Sequence, residues 1–148
     1  MGYATQQDAN DYGLVPSALG LDVTPAQVQK ALDTRSAYAD TKMRARYGYE
    51  NVPVPAPYDP ALVQAVVHLA AFDLLARRGF DATNPSDVAV KERFAAAVKF
   101  LDDVERQTAH LNVVVAQTGP AASPPIAQPL ILSAPNQGWI PPCGSGIS

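Results

Sequence analysis

Apolar residues recur at helical spacing along three long stretches of the chain. In the first stretch, which ends at Gly48, they are Val28, Ala31, Leu32, Ala39, Met43 and Tyr47. In the last stretch, from Ser86 or Asp87 to Leu111, one packing seam recurs at alternating four- and three-residue steps: Val90, Phe94, Ala97, Leu101, Val104, Thr108 and Leu111. The middle stretch, Ala61 to Arg78, is apolar nearly all round, so it needs cover from several neighbours. These periods predict three α-helices, with the middle one at the centre.

Residues that start and stop helices bracket these stretches. Thr24-Pro25-Ala26-Gln27 combines an N-cap hydroxyl, a proline at the first helical position and a glutamine that can reach back to the cap. Asp59-Pro60 repeats the cap and the proline. Gly48 and Gly79 can adopt the left-handed conformation that often ends a helix. The three predicted helices therefore have defined ends.

Two further elements precede the central helix. Thr5 and Asp8 form a weaker variant of the capping box, which predicts a short helix from about Gln6 to Tyr12. Between residues 50 and 60 the chain carries Pro53, Pro55, Pro57 and Pro60, and such spacing removes backbone donors and favours extended backbone. We expect an all-α fold: a small helical bundle with a short N-terminal helix plus three longer helices.

The last 37 residues differ in composition from the predicted bundle. From Asn112 to Ser148 there is no Asp, Glu, Lys, Arg or His, yet this segment holds 7 of the 14 prolines and the single tryptophan. A disordered tail is usually kept soluble by charge, which this segment lacks. We predict a helical domain over residues 1–111 and a long extended, proline-rich C-terminal arm over residues 112–148. The arm's predicted contact residues are Leu130, Ile131, Leu132, Trp139 and Ile140.

Composition excludes several classes of function. A formal net charge of −3 gives no basic footprint for nucleic acid. The lone Cys143 has no partner for a disulfide, and no Cys or His pair has metal-ligand spacing, so neither a metal nor a cofactor is expected. There is no secretory signal, and the apolar stretch from Ala61 to Ala76 looks too short to span a bilayer. We expect a soluble protein made in the cytoplasm.

Few residues qualify as catalytic candidates. His68 and Asp73 lie five positions apart on the predicted central helix, a rotation of about 500 degrees, so they do not share one face. Asp73 and Arg77 have the i,i+4 spacing of a helix-surface or inter-subunit ion pair. His68 is interpreted as a partly buried or interface residue, and His110 as a helix-end residue with no further role. No enzymatic activity is expected.

The segment Arg44-Ala45-Arg46-Tyr47-Gly48-Tyr49 combines guanidinium groups with aromatic rings. Such groups can stack on the bases of a nucleic acid. The alternative is a helix end that packs its rings beside a subunit contact. Acidic residues before and after the segment favour this second interpretation.

The order of several short motifs resembles the head-to-tail adaptor, or connector, proteins of tailed bacteriophages, in particular the Mu-like prophage group. The resemblance covers roughly residues 1–104. A short initial helix follows a Tyr-Ala-Thr start, a second helix ends in Arg-Tyr, and a proline loop precedes a helix that begins Pro-x-Leu. The motifs that carry it are Met1–Asp8, Ala31–Asp40, Arg44–Tyr47 and Asp59–His68.

This resemblance implies a small α-helical bundle without catalytic residues. It also implies a ring, commonly twelve-fold, that lies in the virion neck between the portal protein and the next neck or tail protein, a stopper or tail terminator. DNA would pass through the channel without specific binding. From the arm's own apolar, proline-rich sequence, and not from the resemblance, we predict that the arm docks on the portal or on a neighbouring subunit. Two alternatives stay open: a free-standing regulatory or scaffolding helical module that folds its tail onto one partner, and a small hydrolase with an unrecognised site.

Overall fold

The structure is a computed structural model that describes residues 2–17 and 19–112. Its α-helices are α1 (Gln6–Asp11), α2 (Pro25–Tyr47), α3 (Pro60–Arg78) and α4 (Pro85–Glu105), and a 3₁₀ turn (Tyr49–Asn51) follows α2. No strand occurs within the described residues. The predicted all-α bundle of one short and three longer helices is confirmed. The predicted arm lies outside the described residues except for Asn112.

The predicted capping residues begin the first two helices. The Thr5 hydroxyl accepts from the Asp8 N–H at 3.3 Å, and the Asp8 carboxylate accepts from the Thr5 N–H at 2.7 Å. Thr24 and Gln27 make the same reciprocal pair at the start of α2, at 3.4 and 2.8 Å. Each pair satisfies two backbone donors that a helix start leaves free.

The start of α4 differs from the prediction. Asn84, rather than Ser86 or Asp87, is the N-cap, and its Oδ1 accepts from the Ser86 N–H at 2.9 Å. Pro85 takes the first helical position, as proline does in α2 and α3, so the cap has to precede it. Asp87 thereby lies inside the first turn of the helix, where a carboxylate interacts favourably with the helix dipole.

Helix α3 is central, as its sequence predicts. It packs against both α2 and α4, and α1 contacts its flank. By length and apolar composition α3 could cross a membrane, so the expectation that this stretch is too short was wrong. More than half of its most apolar 18-residue segment is buried inside the bundle, so its apolar residues pack against the other helices. Its buried residues are Leu62, Val63, Ala65, Val66, Val67, Leu69, Ala70, Ala71, Leu74 and Leu75.

Helix α4 ends earlier than its apolar spacing predicts. The helix stops at Glu105, and Gln107 adopts a positive φ of 65°. The Thr108 and Ala109 N–H groups then donate to the Asp103 carbonyl at 2.9 and 3.0 Å. Thr108, a predicted seam residue, is therefore exposed, whereas Leu111 is buried after the turn. Non-glycine residues rarely adopt a positive φ. For this reason the sequence pattern did not predict that the helix ends here.

The N-terminal segment is clamped between α2 and the proline loop. The Tyr3 N–H donates to the Ser36 hydroxyl at 2.9 Å, the Tyr3 hydroxyl donates to Asp40, and the Val54 N–H donates to the Tyr3 hydroxyl at 3.2 Å. Burial and the Asp40 carboxylate raise the pKa of Tyr3. A Cβ on Gly2 would lie 2.7 Å from Asp33 Oδ1 and 2.8 Å from Ser36 Oγ, so a larger residue here would have to displace these two side chains.

Candidate functional site

Asp73 forms an ion pair between two helices and not within one helix. The predicted partner was Arg77, one turn further along α3, but the structure pairs Asp73 with Arg35 of α2. Arg35 donates through both Nε and Nη2, and the hydrogen-bonded Asp73 carboxylate raises the pKa of this guanidinium. A two-bonded arginine–carboxylate pair fixes geometry as well as charge, so it sets how α2 lies on α3. The predicted i,i+4 pair was wrong because tertiary packing supplied a better partner.

A lysine ion pair joins α2 to α4. Lys42 of α2 lies 2.8 Å from an Asp102 oxygen and 2.7 Å from a Glu105 oxygen. Hydrogen bonds to these two carboxylates raise the pKa of Lys42. Both acids lie in the last turns of α4, so the contact fixes the end of that helix against α2.

His68 and Asp73 do not share a site. His68 lines the groove between α3 and α4, and burial together with the positive charge of Arg93 lowers its pKa. Asp73 faces α2, where it also borders a surface hollow with Lys30 and Arg77. Within residues 2–17 and 19–112, no group of three or more His, Cys, Asp or Glu side chains is placed to hold a metal ion.

The most distinctive surface lies where α2 ends, and we call it the arginine–tyrosine surface: Arg44, Arg46, Tyr47, Tyr49 and His110. Arg44 stacks over the Tyr49 ring at 5.5 Å, and Arg46 over the Tyr47 ring at 5.0 Å. Arg46 also donates to the Ala109 carbonyl, and its Nη2 lies 2.6 Å from His110 Nδ1. The chain after α4 is thereby held against the end of α2.

Three features of this surface point to a binding partner. Tyr49 is 80% exposed, although the Arg44 guanidinium lies over its ring. Arg44 Nε and Tyr47 Oη are shielded from solvent, yet neither has a hydrogen-bond partner among the described residues. Shielded polar atoms without a hydrogen bond cost free energy, and a bound group reaches these two only if the Arg44 or Tyr47 side chain shifts. Arginine and tyrosine are also enriched at the energetic centres of protein interfaces.

The sequence identified part of this surface. The sequence predicts rings packed at a helix end over Arg44–Tyr49, and Arg44 stacks over Tyr49 and Arg46 over Tyr47 there. The subunit contact beside these rings stays a prediction. His110 was expected to sit at a helix end without a further role, but it follows the helix and contacts Arg46. The contact of His110 with Arg46 was not predicted, because no clear sequence signal marks the early end of α4.

The last described residue, Asn112, is held at a fixed point of the bundle. The Asn112 N–H donates to Asp59 Oδ2 at 2.6 Å, while Asp59 Oδ1 accepts from the Ala61 N–H at 2.8 Å. Asp59 thus caps α3 and also holds the last described residue of the chain. The predicted contact residues Leu130, Ile131, Leu132, Trp139 and Ile140, and Cys143 with them, lie outside the described residues.

Comparison with known proteins identifies the family. No curated protein matches the chain, and no solved structure matches it. One family model, bacteriophage Mu, Gp36, matches residues 3–127. The match spans all four helices and continues past Asn112 into the arm, but it ends before Leu130. Because this match covers most of the chain, the protein belongs to the bacteriophage Mu Gp36 family.

Proposed function

We propose that this Mu-like phage protein is a structural head-to-tail adaptor that forms a ring, twelve-fold in number, between the portal and the next neck or tail protein. The observation that carries the proposal is the arginine–tyrosine surface, where Tyr49 is 80% exposed with the Arg44 guanidinium over its ring. The family match over residues 3–127 supports a phage role for this bundle. In a closed ring, each subunit presents one surface to the different surface of its neighbour.

The ion pairs within the bundle suit a rigid component of an assembly. Three cationic side chains, Arg35, Lys42 and Arg78, each bind acids on another helix. These contacts fix α2 on α3, α2 on α4 and α3 on α4. A ring built from such subunits would keep the spacing of its partner-binding surfaces.

The charge of the chain suits a channel through which DNA moves. The net charge is −3, and several of the described cations are already neutralised by acids within the bundle. A lining that binds phosphate tightly would slow the passage of DNA. In this proposal, DNA contacts the ring without specific binding.

The arm extends the reach of each subunit. It carries apolar residues without charge, and proline-rich extended chain loses less conformational entropy on docking than flexible chain does. We assign its distal residues Leu130, Ile131, Leu132, Trp139 and Ile140 to contacts with the portal or a neighbouring subunit. Short apolar segments of this kind can add a strand to the edge of a sheet.

The proposed role is non-enzymatic and needs no cofactor. Asp73 is bound to Arg35, and His68 lines a different groove, so the two strongest catalytic candidates are apart. A phage deleted for the gene and supplied with the His68→Gln protein should yield normal infectious particles. Normal assembly with lost infectivity would instead indicate chemistry at His68.

Genetic depletion tests the assembly role. Without the protein, we expect heads and tails to accumulate separately, and the wild-type protein supplied from a plasmid should restore joined particles. If joined, infectious particles form in its absence, the adaptor role is wrong. Altered timing or level of other phage proteins, with joined particles still formed, would favour the regulatory module instead.

A further inference from the structure

A groove between α3 and α4 has walls that suit an extended apolar segment. Its lining is mostly alanine, with Phe100 on one side and two polar residues, Gln64 and His68, along the rim. The open volume is about 250 Å³. Small side chains let another backbone approach closely, so the groove has room for several aliphatic side chains.

The described chain ends beside one end of this groove. Asn112 is held by Asp59, and Asp59 also caps the α3 turn that contains Ala61, the first lining residue of the groove. The residues that follow are Val113-Val114-Val115. The arm therefore starts where the groove starts, with three consecutive branched apolar side chains.

The lengths of the groove and of this segment agree. From Ala61 to His68 the groove follows seven residues of α3, which is about 10 Å at the helical rise. Three residues of extended chain also span about 10 Å. The family match continues to residue 127, so it includes the three valines and excludes the distal apolar residues.

We propose that Val113–Val115 of the same chain occupy the α3–α4 groove. The valine side chains cover the alanines, while Gln64 and His68 can hydrogen-bond with the extended backbone at the rim. The tether at Asp59 keeps the segment at a high local concentration, which favours the chain's own arm over that of a second copy. This inference does not depend on the adaptor function.

Cysteine cross-linking of the full-length chain tests this placement. In a Cys143→Ser background, Ala96→Cys on the exposed rim of the groove is combined with Val114→Cys and treated with a short bismaleimide. We expect a cross-link within one chain, seen as a monomer on a denaturing gel and identified by peptide mass. The control pairs Val114→Cys with Ala26→Cys, which is exposed at the opposite end of the bundle, and it should give no cross-link.

Each other outcome overturns the proposal. Cross-links only between chains would place a second copy's arm in the groove. Absence of any cross-link would show that the valines dock elsewhere or not at all. Equal cross-linking of the Ala26→Cys control would show random collisions of an unattached arm.

Discussion

Arg78, in the last turn of α3, donates to both carboxylate oxygens of Asp87, a residue that is completely buried in the first turn of α4. Arg78 also donates to the Leu19 carbonyl at 2.5 Å, and the Asp81 N–H donates to Asp87 Oδ2 at 3.0 Å. One arginine and one aspartate thus join the loop before α2, the α3–α4 turn and the ends of two helices. This cluster holds the end of the bundle opposite the arginine–tyrosine surface.

We expect Asp87→Asn to lower the melting temperature by several degrees. The amide cannot accept both Arg78 bonds as a charged carboxylate does, and it leaves a partly buried guanidinium without its counter-charge. Thermal unfolding followed by circular dichroism measures the effect. Asp103→Asn on the same helix is the matched control, because the Asp103 carboxylate makes no ion pair with any described residue. Equal shifts in both variants would contradict the account.

The Asp87 carboxylate should also make stability depend on pH. Hydrogen bonds from Arg78, and then from the Asp81 N–H, lower the pKa of Asp87. A lowered pKa means that the stabilisation is complete above the ordinary aspartate pKa of about 4 and is lost as the pH falls below it. Between pH 7 and pH 3, the wild type should therefore lose more stability than Asp87→Asn does. The pKa of Asp81 is lowered as well, so the difference between the two proteins is the quantity to measure.

Replacement of Arg35 should be more costly than replacement of Arg77. Arg35 is the partner of Asp73, and both side chains are about three-quarters buried, so Arg35→Ala should cost about 1 kcal/mol of unfolding free energy. Arg77→Ala removes the residue that helical spacing alone would pair with Asp73, and it should change stability little. Urea unfolding of both variants decides between the inter-helix pair and the i,i+4 pair.

Removal of the Tyr3 hydroxyl should loosen the N-terminal segment. Tyr3→Phe leaves the Val54 N–H and the Asp40 carboxylate without the partner they share, and we expect a loss of about 1.5 kcal/mol. Tyr38→Phe is the matched control, because no hydrogen bond of the Tyr38 hydroxyl is found within the described residues. Chemical unfolding gives both values, and hydrogen exchange at the Val54 amide should increase in Tyr3→Phe alone.

Tyr49 should matter for binding and not for folding. Because its side chain is 80% exposed, Tyr49→Ala should leave the melting temperature unchanged while it weakens docking to the partner at least tenfold. Phe80→Ala is the control: Phe80 is also exposed, at 40%, with Lys91 over its ring, but it lies at the other end of the bundle. Binding to isolated portal or to particles that lack the protein measures the effect. Equal binding by Tyr49→Ala and wild type would remove this surface from the docking site.

Local signals in the sequence predicted most of the fold. Caps such as Thr24 with Gln27 act over three residues, so they can be identified without tertiary structure. Apolar spacing found the central helix because α3 is covered on several sides. The predicted end of α4 lies too far along the chain, because Leu111 keeps the apolar spacing after the turn at Gln107.

The candidate site was less predictable because it depends on distant contacts. The partner of Asp73 is 38 positions away, and the partner of Asn112 is 53 positions away. No local rule chooses Arg35 over Arg77, because the choice depends on how α2 lies on α3. The sequence reveals the Arg44–Tyr49 segment because its residues are adjacent. It does not reveal His110, which is brought beside Arg46 by the tertiary structure.

Electron cryomicroscopy of the native particle tests the adaptor proposal most directly. We expect a symmetric ring of this four-helix bundle between the portal vertex and the tail, with the arginine–tyrosine surface in contact with a neighbour or the portal. Particles that contain no copy of the chain at the head–tail junction would contradict it.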